Sequence, residues 1–386
     1  MKDIRLQNKI AKAGTDRLDP SVYRLSTDAK DPEGILVRSA DLHGVPFGEN
    51  LLAIARAGAG VNNIPVEECS ARGIVVFNTP GANANAVKEL TLCALFLASR
   101  DIVGGIGWVR ELTGHSGVAA AVEAGKSRFS GCEVYGKTLG GIGLGAIGGA
   151  VANAAVHLGM NVIGYDPYIS VKAAWNVNHH VRHAGSFDEV FAAADYLTLH
   201  VPATGTTCGM ICRDSLNKMK PGVRILNLAR ADLVVADDMK DALAAGKVAA
   251  YVTDFPTDEI AGMPGVVTIP HLGASTEESE EHCAVMAADE LDGYLRFGNI
   301  RNSVNYPNVS LPMSGTHRLC VLHANIPAVL SHITTVVSGT GANIENLINQ
   351  SKGQNAYTLI DINTVLSDDV LARLGATEGV VRIRFL

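Results

Sequence analysis

The segment Gly143-Leu144-Gly145-Ala146-Ile147-Gly148, with Asp166 beyond it, constrains this chain more than any other feature. The apolar stretch Thr138–Ile142 leads into the glycines, and the small-residue run 149–158 leads out. A second apolar stretch, 162–165, ends at the acidic residue. That order predicts strand, tight turn, helix, strand, which is the layout of a dinucleotide-binding βαβ unit. Gly143 permits the turn. Gly145 lets backbone N–H groups approach a pyrophosphate at the positive end of the helix, and Gly148 lets helix and strand pack closely. Ala146 and Ile147 lie in the same turn and are counted with the cofactor contacts. An acidic side chain about twenty residues on bonds the adenosine ribose 2′-OH and repels a 2′-phosphate, so Asp166 predicts NAD over NADP.

A nucleotide turn at residue 143 leaves room for a whole domain before it. With 386 residues there is chain for two or three domains. A net charge of −7 argues against nucleic acid as the main partner, so an anionic substrate would need its positive charge concentrated locally. No apolar run approaches membrane-spanning length, and the first residues, Met1-Lys2-Asp3-Ile4-Arg5, lack a secretory apolar region. The seven cysteines are scattered and odd in number, and read as reduced thiols of a cytoplasmic protein. Cys208 and Cys212 have no second pair to complete a metal site, and His179, His180 and His183 read as a solvated loop. No metal is expected.

Along the chain, short apolar runs at 34–38, 51–57 and 73–77 predict parallel strands of an α/β domain. Residues 83–112 read as one long helix, with Val87, Leu90, Thr91, Ala94, Leu95 and Ala98 at helical spacing. Further strands are predicted at 139–143, 162–165, 196–200, 224–227, 250–253 and 266–268. A helix over 277–297 could return the chain to its first domain, and a linker rich in Asn, Pro and Ser spans 299–316. The tail reads as strand 318–323, helix 328–338, strands 343–351 and 356–363, helix 368–374 and strand 380–385. This is βαββαβ, a ferredoxin-like module. The expected domains are 1–96 with 276–310 for substrate, 97–275 for NAD, and 316–386.

Oxidising an alcohol with NAD needs a proton acceptor and a cation to hold the substrate. Arg230 falls just past a predicted strand in Asn227-Leu228-Ala229-Arg230, and a guanidinium fork can bind a carboxylate by two hydrogen bonds. His271 falls just past another, in Pro270-His271-Leu272-Gly273-Ala274-Ser275-Thr276, and can exchange a proton near neutral pH. Between them, Thr253-Asp254-Phe255-Pro256-Thr257-Asp258-Glu259 offers a carboxylate to orient the histidine, either Asp258 or Glu259.

In this arrangement the chain resembles the D-2-hydroxyacid dehydrogenases over nearly its whole length, and within them the short-form phosphoglycerate dehydrogenases. The most specific segments are 56–61, 78–89, the nucleotide turn, 227–230 and 270–276. The resemblance implies a Rossmann-type domain inserted in a flavodoxin-like substrate domain. It implies that Arg230 holds the substrate carboxylate and carbonyl oxygen, that His271 exchanges the proton, and that Asp258 stands where the family carries Glu. It further implies cofactor contacts at His200, Pro202, Leu228, Ala229, Asp254, Gly273 and Ala274, and substrate contacts at Arg38, Ser39, Arg56, Asn83, Asn85 and Lys88. The substrate would lie in a cleft between the first two domains.

The tail resembles an ACT domain. His323, Asn325 and Asn343 match its effector positions, and Ala328 departs from the family's glycine. The implied function is NAD-dependent oxidation of D-3-phosphoglycerate, with L-serine as a feedback effector and a homodimer or homotetramer as the assembly. Hydroxypyruvate or glyoxylate reduction, or a NAD-sensing regulatory protein with little turnover, are the competing readings.

Overall fold

The computed structural model describes residues 1–386. Its contacts divide the chain into two compact units, residues 1–83 with 277–386, and residues 84–276.

The first unit holds five parallel strands, β1 (Lys2–Gln7), β2 (Tyr23–Ser26), β3 (Gly34–Val37), β4 (Ala53–Arg56) and β5 (Val75–Phe77). Their order is β2-β1-β3-β4-β5, that of the flavodoxin-like doubly wound sheet. Every residue of β3 is buried, as a strand covered on both faces requires. The helix Glu277–Phe297 returns to this unit as expected. Its Ala287, Leu291, Tyr294 and Leu295 share one core with Ile4, Leu36, Ala53 and Phe77.

The expected long helix over 83–112 is two helices, Ala84–Ser99 and Ile102–Glu111, bent by 70° at the break. The cause is local. The Asp101 carboxylate accepts from the Gly104 N–H at 2.9 Å, which caps a new helix. No residue of Ile102–Glu111 is buried.

The second unit is a seven-stranded parallel sheet: β6 (Thr138–Ile142), β7 (Asn161–Tyr165), β8 (Arg182–His183), β9 (Tyr196–Leu199), β10 (Val223–Asn227), β11 (Val248–Thr253) and β12 (Val266–Thr268). The order β12-β11-β10-β9-β6-β7-β8 is the dinucleotide-binding order with one strand added. No single helix in the chain is long and apolar enough to cross a membrane.

The tail has the expected βαββαβ order. Strands β13 (His317–Ala324), β14 (Ile344–Lys352), β15 (Asn355–Ile362) and β16 (Val380–Phe385) form an antiparallel sheet ordered β14-β15-β13-β16. Strand alternation sends Leu319, Val321, Ile360 and Ile362 to the face covered by helices Val329–Ser338 and Asp368–Gly375. The opposite face, with Cys320, Leu322, Tyr357 and Leu359, is buried in the core of the first unit. Residues 316–386 are thus grouped by their contacts with the first unit.

A fully buried ion pair fixes this junction. Arg318 donates from Nε and Nη2 to the two oxygens of Asp361 at 2.6 and 2.9 Å, and from Nη1 to the carbonyls of Phe297 and Leu311. Asp361 also accepts from the backbone and hydroxyl of Ser314. Burial alone would push the Asp361 carboxyl up, but the Arg318 guanidinium holds it below the usual carboxylate range. Removing either partner would strand a buried charge, a loss of about 3–5 kcal/mol. Arg384 adds bonds to the carbonyls of Tyr294 and Leu295, and Tyr357 adds one to that of Gly298.

Ala328 sits ahead of the helix Val329–Ser338 at φ +70°, a left-handed conformation that costs an L side chain about 1 kcal/mol relative to glycine. Ala328→Gly is expected to stabilise the module by about 1 kcal/mol, read as a higher urea midpoint for the step that unfolds it. An unchanged or lowered midpoint would contradict the strain.

Candidate active site

Every strand of the second sheet is parallel, so the six expected chemical groups of this unit gather along its carboxyl edge in strand order. His271 follows β12, Asp254 follows β11, Arg230 follows β10, His200 follows β9, the glycine turn follows β6 and Asp166 follows β7. Open α/β sheets bind ligands at this edge.

At the glycine turn, Gly143 has φ +86°, and a Cβ there would lie 2.6 Å from the His200 carbonyl oxygen. A Cβ on Gly148 would lie 1.9 Å from the carbonyl oxygen of Gly143. At Gly145 the corresponding space is open to 4 Å. The helix Ala146–His157 starts there without a side-chain cap, which leaves its first-turn N–H groups for an anion. Asp166 ties the turn to the end of β7, its oxygens accepting from the N–H groups of Leu144 and Tyr168, both at 2.9 Å. A carboxylate has lone pairs left for a ribose hydroxyl.

Two buried polar atoms on the same edge lack partners. His200 bonds Thr198 through Nε2 at 2.9 Å, but its Nδ1 is buried and unpaired, and burial lowers the ring to about 4, so it is neutral at pH 7. Asp254 is 1% exposed; Oδ2 accepts from the Gly273 N–H at 3.3 Å and Oδ1 has no partner. Burial pushes this carboxyl up, while the charges of His271 and then Arg230 pull it back. The uncapped helix start, the open space at Gly145 and these orphaned atoms together fit a dinucleotide. Leu228 is 6% exposed and packs into the core, whereas Ala229 and Ala274 are half-buried and Pro202 is exposed.

Asn227 organises the arginine turn, a task the sequence reading did not assign to it. Fully buried at the end of β10, it accepts through Oδ1 from the N–H groups of Ala229 and Arg230 and donates through Nδ2 to the Arg230 carbonyl. The exposed guanidinium of Arg230 is thereby set on a fixed backbone. The only early signal was a polar residue ending an apolar strand.

The expected bond between Asp258 and His271 is not formed, nor does Glu259 replace it. The Thr257 carbonyl accepts from the N–H groups of Ile260 and Ala261, closing a turn that leaves Asp258 and Glu259 exposed. His271 is exposed and packs on the Phe255 ring, centroids 4.6 Å apart. Asp254 is the carboxyl that it influences by charge.

The other expected residues fall in three places. In the first unit, Arg38 and Arg56 end up at the carboxyl edge of that sheet. Arg38 pairs with Glu280 at 2.5 Å, and Arg56 donates to the Arg38 and Gly60 carbonyls. The Ser39 N–H donates to Asn8, and Asn83 has a buried, unpaired Oδ1. On the helix Ala84–Ser99, Lys88 donates to Asn85 at 2.5 Å. In the tail, His323 is 3% exposed, with Nδ1 on the Ala324 carbonyl and Nε2 on Thr358 and Asn349. Asn325 donates to Gly353. Asn343 lies at the opposite end of the sheet: His323 pairs with Ala356, whereas Ile344 pairs with Ile362, about 20 Å away along β15. One chain does not bring the three effector candidates together.

Residues 95–273 match the family model described as D-isomer specific 2-hydroxyacid dehydrogenase, NAD binding domain. The chain is 31% identical over 388 aligned positions to D-3-phosphoglycerate dehydrogenase 1 of Saccharomyces cerevisiae, covering 92% of this chain and 79% of that protein. It is 36% identical over 289 positions to D-3-phosphoglycerate dehydrogenase of Methanocaldococcus jannaschii, covering 72% of this chain but only 53% of that longer protein. Among solved structures, the NAD+-bound 3-phosphoglycerate dehydrogenase of Entamoeba histolytica superposes with a TM-score of 0.61 at 25% identity, over 79% of this chain and 98% of that one. A glyoxylate reductase from Paecilomyes thermophila shares the fold, with a TM-score of 0.65 at 24% identity over 78% and 98%.

Gly145 and Gly148 should respond differently to substitution. Gly145→Val is expected to leave the melting temperature of the cofactor-free protein nearly unchanged and to weaken NADH binding by at least about tenfold, followed by fluorescence titration. Gly148→Ala should lower the melting temperature itself, because its methyl group meets backbone. Equal effects of both on folding would refute this division of roles.

Proposed function

The chain belongs to the D-isomer specific 2-hydroxyacid dehydrogenase family, and on that premise we propose that it oxidises D-3-phosphoglycerate to 3-phosphohydroxypyruvate with NAD, the step that opens L-serine synthesis. The observation that carries the reading is the placement of Arg230, Asp254 and His271 after three adjacent strands, β10, β11 and β12. The substrate class rests on the names of the curated relatives and on two arginines, Arg38 and Arg56, at the carboxyl edge of the first sheet.

NAD, held by the glycine turn and Asp166, supplies the hydride acceptor. Arg230 forks onto the substrate carboxylate and aligns the carbon that carries the hydroxyl. His271 receives the hydroxyl proton on a ring nitrogen and returns it in the reverse reaction. Asp254, at the end of the neighbouring strand β11, is the carboxyl on the same edge as His271. The orphaned Asp254 Oδ1 is an acceptor for a cofactor amide, and the neutral His200 ring supports the backbone of the glycine turn from beneath.

The C-terminal module is proposed as an ACT-like regulatory element. Since His323 and Asn343 lie at opposite ends of one sheet, a serine site using both must draw Asn343 from a second copy of the chain. The unburied helix Ile102–Glu111, with Ile102, Val103, Ile106 and Val109 all exposed, supports assembly through the nucleotide unit.

NADH consumption should be rapid with 3-phosphohydroxypyruvate and slow with hydroxypyruvate or glyoxylate. His271→Ala should lower the rate by about two to four orders of magnitude. A loss under tenfold would remove His271 as the proton carrier, and faster turnover on glyoxylate would transfer the assignment to that substrate. Millimolar-range L-serine should slow the phosphorylated reaction; no effect would leave the module with assembly alone.

A further inference from the structure

Glu290 is a buried acid outside the chemistry described above. It lies in the middle of the helix Glu277–Phe297 and is 7% exposed. Its Oε1 accepts from Nδ2 of Asn302 at 2.7 Å, and its Oε2 is buried without a partner. Asn302 has φ +55°, a left-handed conformation uncommon for a residue other than glycine. The Asn302 carbonyl in turn accepts from the N–H of Asn78 at 3.4 Å, and the next residue, Ser303, bridges to Phe77 at the end of β5.

The chain of contacts ends on the segment 78–83, which runs from β5 to the point where the chain enters the second unit. That segment carries Asn83, one of the substrate candidates. Its other ties are few: Thr79 N–H to the Gly58 carbonyl at 3.1 Å, Ala82 N–H to the Thr79 carbonyl at 3.3 Å, and the Asn78 amide to Ala59. Gly81 and Ala82 line the same cavity as Met286, Glu290 and Asn302, about 560 Å³ in volume.

We propose that Glu290 is a positioning residue whose carboxyl fixes Asn302 and, through it, the substrate segment 78–83. The kinetic part of this inference rests on the dehydrogenase reading; the structural part does not. Burial raises the Glu290 carboxyl to about 8, with the Asn302 bond opposing and the Asp289 charge adding to the rise. The group is therefore neutral at pH 7. Asp289 on the same helix is engaged by Arg17, Arg301 across the cavity bonds Ser310, and His282 is exposed; none pairs with Glu290. The folded protein keeps this proton from the unfolded value near 4.5 up to about 8, so stability falls as pH rises through that window. Above it, the second, unpaired oxygen of the buried carboxylate draws water into the cavity that Gly81 and Ala82 line.

Hydrogen exchange of the peptide spanning 76–83 in the full chain tests this, after correction for the intrinsic pH dependence of exchange. Wild-type protection should hold at pH 7 and fall by about fivefold or more above pH 8. Glu290→Gln, which imitates the protonated acid, should keep its protection at both. Glu290→Ala should lose protection at every pH, raise KM for 3-phosphohydroxypyruvate by about five- to tenfold, and leave KM for NADH unchanged. Should the alanine variant not fold, Asn302→Gly keeps the left-handed backbone without the amide and should show the same loss. Wild-type exchange in Glu290→Ala or Asn302→Gly, or a fall in Glu290→Gln above pH 8, would overturn the proposal. Altered exchange in a protein that turns over no phosphorylated acid would instead sink the substrate assignment and leave the positioning role standing.

Discussion

Parallel strands cannot be joined by a tight turn, because each must be regained by a crossover that returns the chain to the same end. That restraint decides where the chemistry of this protein gathers. In the second unit it places residues from 143 to 271 along one edge, in an order set by strand neighbours rather than by sequence. Groups suited to adenosine, Asp166 and the glycine turn, occupy the β6 and β7 end. Groups suited to proton and carboxylate chemistry occupy β10 to β12. The first sheet obeys the same rule, so Arg38 and Arg56 emerge together from neighbouring strands.

The C-terminal sheet is restrained in another way. A four-stranded sheet has two faces, and here helices of its own cover one while the first unit covers the other. Arg318 and Asp361 sit on that second face, and their hydrogen bonds reach the end of the long helix and the linker. A charge pair at this depth tolerates little sliding, because each displaced bond leaves a polar group without water. The module and the first unit therefore share one core at this junction.

Much of the fold was legible because burial writes itself into periodicity. The strands of the nucleotide unit and the whole βαββαβ tail follow from apolar runs of the right length. Strand β1 was missed because Lys2, Asp3 and Arg5 break its pattern and only Ile4 is fully buried. Strand β8 is two exposed residues and carries no pattern at all. The break at 100–101 escaped because helical spacing continues across it, and only the Asp101 cap marks the new start. For the site, motif spacing placed Arg230 and His271 just past strands but offered Asp258 or Glu259 as the acid, both of which are exposed. That depends on a turn closed by the Thr257 carbonyl, a backbone property shared by many sequences.

Three buried carboxyls in this chain differ by what surrounds them, and the difference separates structure from function. Asp361 takes four hydrogen bonds, two of them from a guanidinium, and burial cannot keep it protonated against that charge. Nothing remains for a ligand to satisfy. Asp254 takes one bond from Gly273, has a free oxygen, and faces the charges of His271 and Arg230. Glu290 takes one bond from a neutral amide and has no cation paired with it, so burial raises it to about 8 and it keeps its proton at neutral pH. A carboxyl with an incomplete shell is unfavourable for folding by itself. Asp254 in the second unit and Glu290 in the first each carry that cost, and Asp361 does not.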